Sequence, residues 1–237
     1  MAANEDRVQA RVTEILNLCD PATYSKTISS RNKTRNTIAI RDFCAEAGLM
    51  ILKAIAERPN EFRYQFLEDS DEITTSGDAM PPHLGPPARI AITPYAGTEF
   101  LIEARRSSYD KIQSYRENPE NVYDSIDHDQ PGSTLSGLYD IWDDRFFFTG
   151  HSAVLRLARV PEREDNATLI PDIMENTWIR LAMGEAKKAG VSDYATRLIE
   201  DYAVRGMKDL EEFKAGGRVF TEVDEPKQSP VDHNLVR

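Results

Sequence analysis

Residues 137–160 read Gly-Leu-Tyr-Asp-Ile-Trp-Asp-Asp-Arg-Phe-Phe-Phe-Thr-Gly-His-Ser-Ala-Val-Leu-Arg-Leu-Ala-Arg-Val. The runs Leu138–Trp142 and Arg145–Phe148, parted by Asp143-Asp144, predict a β-hairpin. The alternation over Ala153–Val160 predicts a further strand. A charged loop follows, and then Leu169-Ile170-Pro171-Asp172 opens two long amphipathic helical patterns that break at Gly190. No catalytic pattern lies in this half of the chain. Its order stands helices beside a small sheet, an arrangement that points to assembly.

Downstream of the hairpin, Pro171 sits where a helix loses nothing by a missing N–H. Met174, Trp178, Leu181, Ala182, Ala186 and Ala189 form one helical stripe, Lys187-Lys188 suit its C-terminal end, and Gly190 suits the position just past it. Ser192 or Asp193 can cap the last helix, whose face is Ala195, Leu198, Ile199, Tyr202, Gly206, Leu210 and Phe213. Gly216-Gly217 ends it.

Upstream, Val8, Val12, Ile15 and Leu16 predict a first helix over roughly residues 4–18, stopped at Asp20-Pro21. Residues 24–36 are polar and basic without a carboxylate, and read as a loop. Ile40, Phe43, Cys44, Ala47, Met50, Ile51, Ala54 and Ile55 form a wide stripe that reads as a central helix, stopped by Pro59. The period then shortens to two. Phe62, Tyr64 and Phe66 read as one strand and Arg89–Thr93 as another, joined through Pro81-Pro82 and Pro86-Pro87. Residues 107–117 predict a short helix, and 118–136 an acidic loop.

The expected fold is therefore α+β. A bundle of about four helices comes from both chain ends, residues 1–60 and 169–216. A β-rich insertion with a short helix occupies 61–168, and an extended tail runs over 217–237.

Composition narrows the function. The chain has 237 residues, a formal net charge of −11, 40% hydrophobic and 29% charged residues. Such acidity argues against a protein built to grip nucleic-acid phosphates, since that affinity comes from lysine and arginine. Cys19 and Cys44 are too few and too unpatterned for a disulfide framework, and read as reduced, with Cys44 in a helical core. The N-terminus shows no secretory signal and no run is long enough to span a membrane, so a soluble protein of a reducing compartment is expected.

Asp124, Asp127, His128 and Asp129 faintly resemble a calcium loop, but Leu138 stands where the bidentate Glu belongs, so an exposed acidic loop is the expectation. His83, His128, His151 and His233 fit no ligand or catalytic spacing, and no nucleophile elbow or phosphate loop is present. No enzyme, cofactor or metal is expected. The feature that invites a functional reading is basic. Lys26, Arg31, Lys33, Arg35 and Arg41 place five cations within sixteen residues of an acidic chain, a surface suited to an acidic partner.

The arrangement resembles the head-to-tail connector (adaptor) proteins of tailed bacteriophages, particularly the short-tailed phages. The resemblance rests on Arg11-Val12-Thr13-Glu14-Ile15-Leu16-Asn17 in the first helix and on His83-Leu84-Gly85-Pro86 before the strand at Ile90. It continues through Tyr139–Phe148, Val160-Pro161 and Ile170-Pro171-Asp172, and covers most of residues 7–216. It implies a virion structural protein, assembled in the host cytoplasm as a dodecameric ring. The portal protein would lie above the ring and tail or nozzle proteins below, with genomic DNA passing through unbound and no membrane involved. The helices would build the ring wall, the β-rich part would face outward or toward the tail, and the C-terminal tail would dock on the portal. Lys26, Arg31, Lys33, Arg35, Arg41, Arg218, Phe220, Val231 and Leu235 are the partner-binding residues this implies. A stopper or tail-terminator subunit, or less readily a small enzyme using carboxylates, are the alternatives.

Overall fold

The computed structural model describes residues 5–20, 24, 30–59, 61–94, 96–97, 101–117, 137–190 and 193–216, the side chains of 30–34, 167, 193–196 and 198 excepted. The chain divides into two compact units, one from residues 1–54 with 162–237 and one from 55–161. The tail assigned to 217–237 and the acidic loop assigned to 118–136 lie outside the described residues.

The first unit is helical. Helix α1 (Glu5–Cys19) buries Val8, Val12, Ile15, Leu16 and Cys19, and opens with Glu5 and Asp6 at the positive end of its dipole. Helix α2 runs over Ser30–Glu57, ten residues earlier than the stripe from Ile40 shows. Ile40, Cys44, Ala47 and Ile51 are buried along it, and its last three residues belong to the other unit. The segment read as a loop is thus helical from Ser30 onward. Its first turn holds no acidic residue, so the usual signal of a helix start is missing.

Helix α4 (Glu175–Ala189) follows a 3₁₀ turn at Asp172–Met174 and ends at Gly190, whose φ of 95° is the left-handed exit expected of that glycine. It buries seven consecutive residues, Thr177 to Met183, and so is enclosed on every side. The enclosed helix is α4, where the sequence pattern had pointed to α2. Trp178 donates its Nε1–H to the Cys44 carbonyl at 2.6 Å, which ties α4 to α2.

Helix α5 (Asp193–Lys214) lies against α4 at small residues. A Cβ on Gly206 would stand 2.9 Å from Arg180 Cβ and from the Leu181 nitrogen. One on Gly184 would stand 3.3 Å from Ala203 Cβ. That close approach seals an ion pair between the helices: Arg180 Nη1 lies 2.5 Å from Asp209 Oδ2, with the side chains 9% and 8% exposed.

The second unit is a sheet of seven strands. They are β1 (Leu67–Asp69), β2 (Asp78–Ala79), β3 (Leu84–Thr93), β4 (Ile102–Arg106), β5 (Gly137–Trp142), β6 (Arg145–Phe148) and β7 (Ser152–Ala158), in the order β1-β7-β3-β4-β5-β6-β2. All neighbours are antiparallel except β4 and β5, which run parallel with helix α3 (Tyr109–Glu117) in the connection. The sheet curls into a half-barrel. One continuous segment closes its seam. Residues 67–69 pair with β7, Ile73 bridges Ala153, and Gly77 and Met80 donate to the Phe146 and Asp144 carbonyls at the β6 side. Neither outer strand is left as a long open edge.

Inside the curl, Ile73, Ile90, Ile92, Phe146, Phe148, Ala153, Leu155 and Leu157 form one core, with Phe146 stacked on Phe148 at 5.2 Å. On the outer face α3 covers the hairpin: Ile112 is fully buried, and Tyr109 meets Phe147 edge-on at 4.8 Å. The hairpin turn is as expected, with Asp143 and Asp144 both left-handed at φ 51° and 54°.

A bulge interrupts β3 against β7 between Leu84 and Arg89, where Gly85-Pro86-Pro87 fall. Proline cannot donate to a ladder, so the free carbonyls there need another donor. Arg63 supplies it. Its guanidinium is buried and donates to the carbonyls of Ala56 (2.9 Å), Leu84 (3.0 Å) and Pro86 (2.5 Å), and burial lowers its pKa. Gly85 fits beneath because a Cβ there would lie 1.8 Å from the Glu57 carbonyl oxygen.

These observations overturn the expected architecture of a four-helix bundle carrying a β-rich insertion. The described residues hold five helices of nine residues or more and a seven-stranded mixed sheet with a core of its own. Strands β1, β2 and β4 are short or heavily charged, with at most a weak alternation, so they escape a pattern search. The alternation Phe62, Tyr64, Phe66 is not a strand. Residues 63–66 form a 3₁₀ turn in which Phe66 is buried and Tyr64 is 69% exposed.

Candidate functional site

The basic stretch divides on folding. Lys26 lies outside the described residues, as do Arg218, Phe220, Val231 and Leu235 of the tail. Arg31 and Lys33 fall in the first two turns of α2. Arg35 and Arg41 are exposed on the same helix. A cationic run at the N-terminus of a helix opposes the helix dipole. The positive charge there is therefore not explained by helix stability. Further along α2, Asp42 and Glu46 engage Arg163.

Large apolar side chains also lie uncovered on the helices. Val204 and Met207 are 62% and 43% exposed, three residues apart on α5 and bordering the buried Gly206 and Leu210. Ile38, on α2 between Arg35 and Arg41, is exposed too. On the sheet unit, Trp142 is 64% exposed at the hairpin tip and leans on Tyr109 at 5.8 Å. Exposed Trp142 and half-buried Tyr109 thus form an aromatic patch beside buried Phe147. The alternation of the hairpin already held this information, since Tyr139 and Ile141 pack on the core and Trp142 must therefore point outward.

The polar groups that could do chemistry are dispersed. His83 places Nδ1 2.7 Å from the Pro81 carbonyl, and His151 is exposed in the turn before β7. His128, His233, Asp124, Asp127 and Asp129 lie outside the described residues. Cys19 and Cys44 are buried and unpaired, and burial pushes both thiols up, Cys44 to about 12. A protonated, enclosed thiol is a poor nucleophile. Among the described residues no group of three or more His, Cys, Asp or Glu is placed to hold a metal ion. None of the described helices is long and apolar enough to cross a membrane. The described surface carries exposed cations, such as Arg35 and Arg41, and uncovered apolar side chains. No protein-family model matches the chain, and no curated protein matches it.

Proposed function

We propose that the chain is a structural subunit of a phage neck, a head-to-tail adaptor that assembles as a dodecameric ring beneath the portal. It extends the DNA channel and gives tail or nozzle proteins a platform in the virion. The observation that carries the reading is that α5 keeps Val204 and Met207 uncovered beside its packed residues Gly206 and Leu210. A neighbouring subunit is the natural cover for such a surface. The charge agrees: a net −11 per chain repels DNA, so a channel walled by this protein lets the genome slide.

The cations from Lys26 to Arg41 then meet an acidic surface of the portal. Reversing Lys26, Arg31, Lys33 and Arg35 to Glu is expected to weaken attachment to portal rings of the same phage in a pull-down at physiological salt. Unchanged attachment refutes that assignment.

The seven-stranded sheet gives weight to a second reading, a stopper or tail-terminator subunit, because such proteins are strand-rich. Such a subunit binds a preassembled adaptor ring or tail tube and ignores the bare portal.

A further inference from the structure

Arg156 of β7 lies directly opposite Arg89 of β3, and both are exposed on the outer face of the sheet. The β3–β4 register pairs Ala91 with Glu103. Two residues beyond that pair, Arg105 of β4 falls on the same face as Glu103 and is again exposed. With strands about 4.8 Å apart, the three arginines stand in a row about 10 Å long. Like charges opposite one another on neighbouring strands repel. Among the described residues none of the three has an ion-pair partner. Asp69 of β1 already faces Arg156 at the seam end of the row, so Arg89 is the cation whose surroundings most favour an anion from outside.

The same unit carries the complementary charge. No lysine or arginine occurs between Arg63 and Arg89, and the carboxylates of this stretch are exposed along the seam. Two of them are engaged: Glu68 pairs with Arg159 at 3.1 Å, and Glu72 accepts the Ser152 hydroxyl. Asp69, Asp71 and Asp78 have no ion-pair partner among the described residues. Asp69 is in register with Arg156. Arg89 and Arg105 stand two and three strands from the seam, about 10 and 14 Å away and out of its reach.

We propose that the Arg156–Arg89–Arg105 row receives the acidic seam, Asp69–Asp78, of a second copy of this chain in a head-to-tail contact. Such a contact uses two different patches, so it repeats from chain to chain and can close into a ring. The inference rests on the ring reading and names surfaces for it. Nucleic acid fits the row less well, because Asp69 and Glu103 flank it on a chain of net charge −11, and phosphate binding depends on unopposed cations.

The test is light scattering on the full-length chain at low salt, without portal. The mass is expected to rise with concentration, and 0.5 M salt should suppress the rise by screening. The pairs Arg89→Glu with Arg156→Glu, and Asp69→Arg with Asp71→Arg, should each weaken association about tenfold or more. An equimolar mixture of the two variants should recover it, since each reversed patch then meets its opposite, a result that misfolded variants could not give. A wild-type chain that stays monomeric, variants that associate like wild type, or a mixture that fails to recover overturns the proposal. A fluorescent DNA duplex that binds the wild type and not the Arg89→Glu/Arg156→Glu variant overturns it in favour of nucleic-acid phosphates. Portal attachment is measured separately, so failure of this contact and failure of the connector reading give different results.

Discussion

Replacing Asp209 by alanine leaves Arg180 buried between α4 and α5 without its carboxylate. The two side chains are 9% and 8% exposed and 2.5 Å apart, so solvent does little to screen the pair or to replace the missing partner. Breaking one side of a pair so enclosed costs about 3–5 kcal/mol, because the remaining charge stays desolvated. Against a total stability of about 5–15 kcal/mol, that is a large fraction. Urea unfolding followed by Trp178 fluorescence, in a Trp142→Phe background to remove the exposed indole, reads the loss directly. The double variant Arg180→Met/Asp209→Leu removes both charges and keeps the volume, and should recover most of the loss, as apolar replacements of buried pairs do. A loss below about 1 kcal/mol for Asp209→Ala, or a double variant as unstable as the single one, refutes the reasoning.

Gly85→Ala forces a Cβ to 1.8 Å from the Glu57 carbonyl at a φ of 66°, and should cost about 3 kcal/mol in thermal or urea unfolding. Gly97→Ala, also at positive φ but with nothing within 4 Å, should cost only about 1 kcal/mol, and equal losses contradict the account of the bulge. The Cys44 thiol holds its proton to about 12 in the fold, raised first by burial and then by the Glu5 charge, against 9.0 ordinarily. The folded state therefore binds more protons above pH 9, and stability should fall with rising pH between 9 and 12 by up to about 1.4 kcal/mol per unit from this group. Cys44→Ala should flatten the decline between pH 8 and 10.5. Alkylation of Cys44 at pH 8.5 should follow global unfolding, and rapid labelling of the folded chain contradicts its enclosure.

The elements legible in the sequence are those whose signals are local. The hairpin is one, because its turn residues and flanking alternation lie within eleven positions and the aspartates take the left-handed backbone. Helices α1, α4 and α5 are others, their stripes matching the buried residues Val8, Val12, Trp178, Leu181, Ile199 and Leu210. What escaped is set by distant partners. Strand β3 begins at Leu84 because Arg63 can bond the carbonyls around Pro86, a match of two segments that no window contains. Strand β4 alternates Ile102, Ala104 with Glu103, Arg105, a pattern too weak to stand out until the parallel partner β5 is known. Of the candidate site, the basic residues from Arg31 to Arg41 were legible as charge, and their place on a helix was not, since nothing acidic marks its start. The uncovered Val204 and Met207 were hidden for another reason: they lie off the apolar stripe and draw notice only once the packing is seen.

The central claim is that this chain is a ring subunit added to a portal. The most direct test is the mass, by light scattering, of the purified chain alone and after mixing with portal rings of the same phage. The account predicts that the mixture gains the mass of twelve chains per portal. A compact monomer that adds no mass to the portal contradicts it.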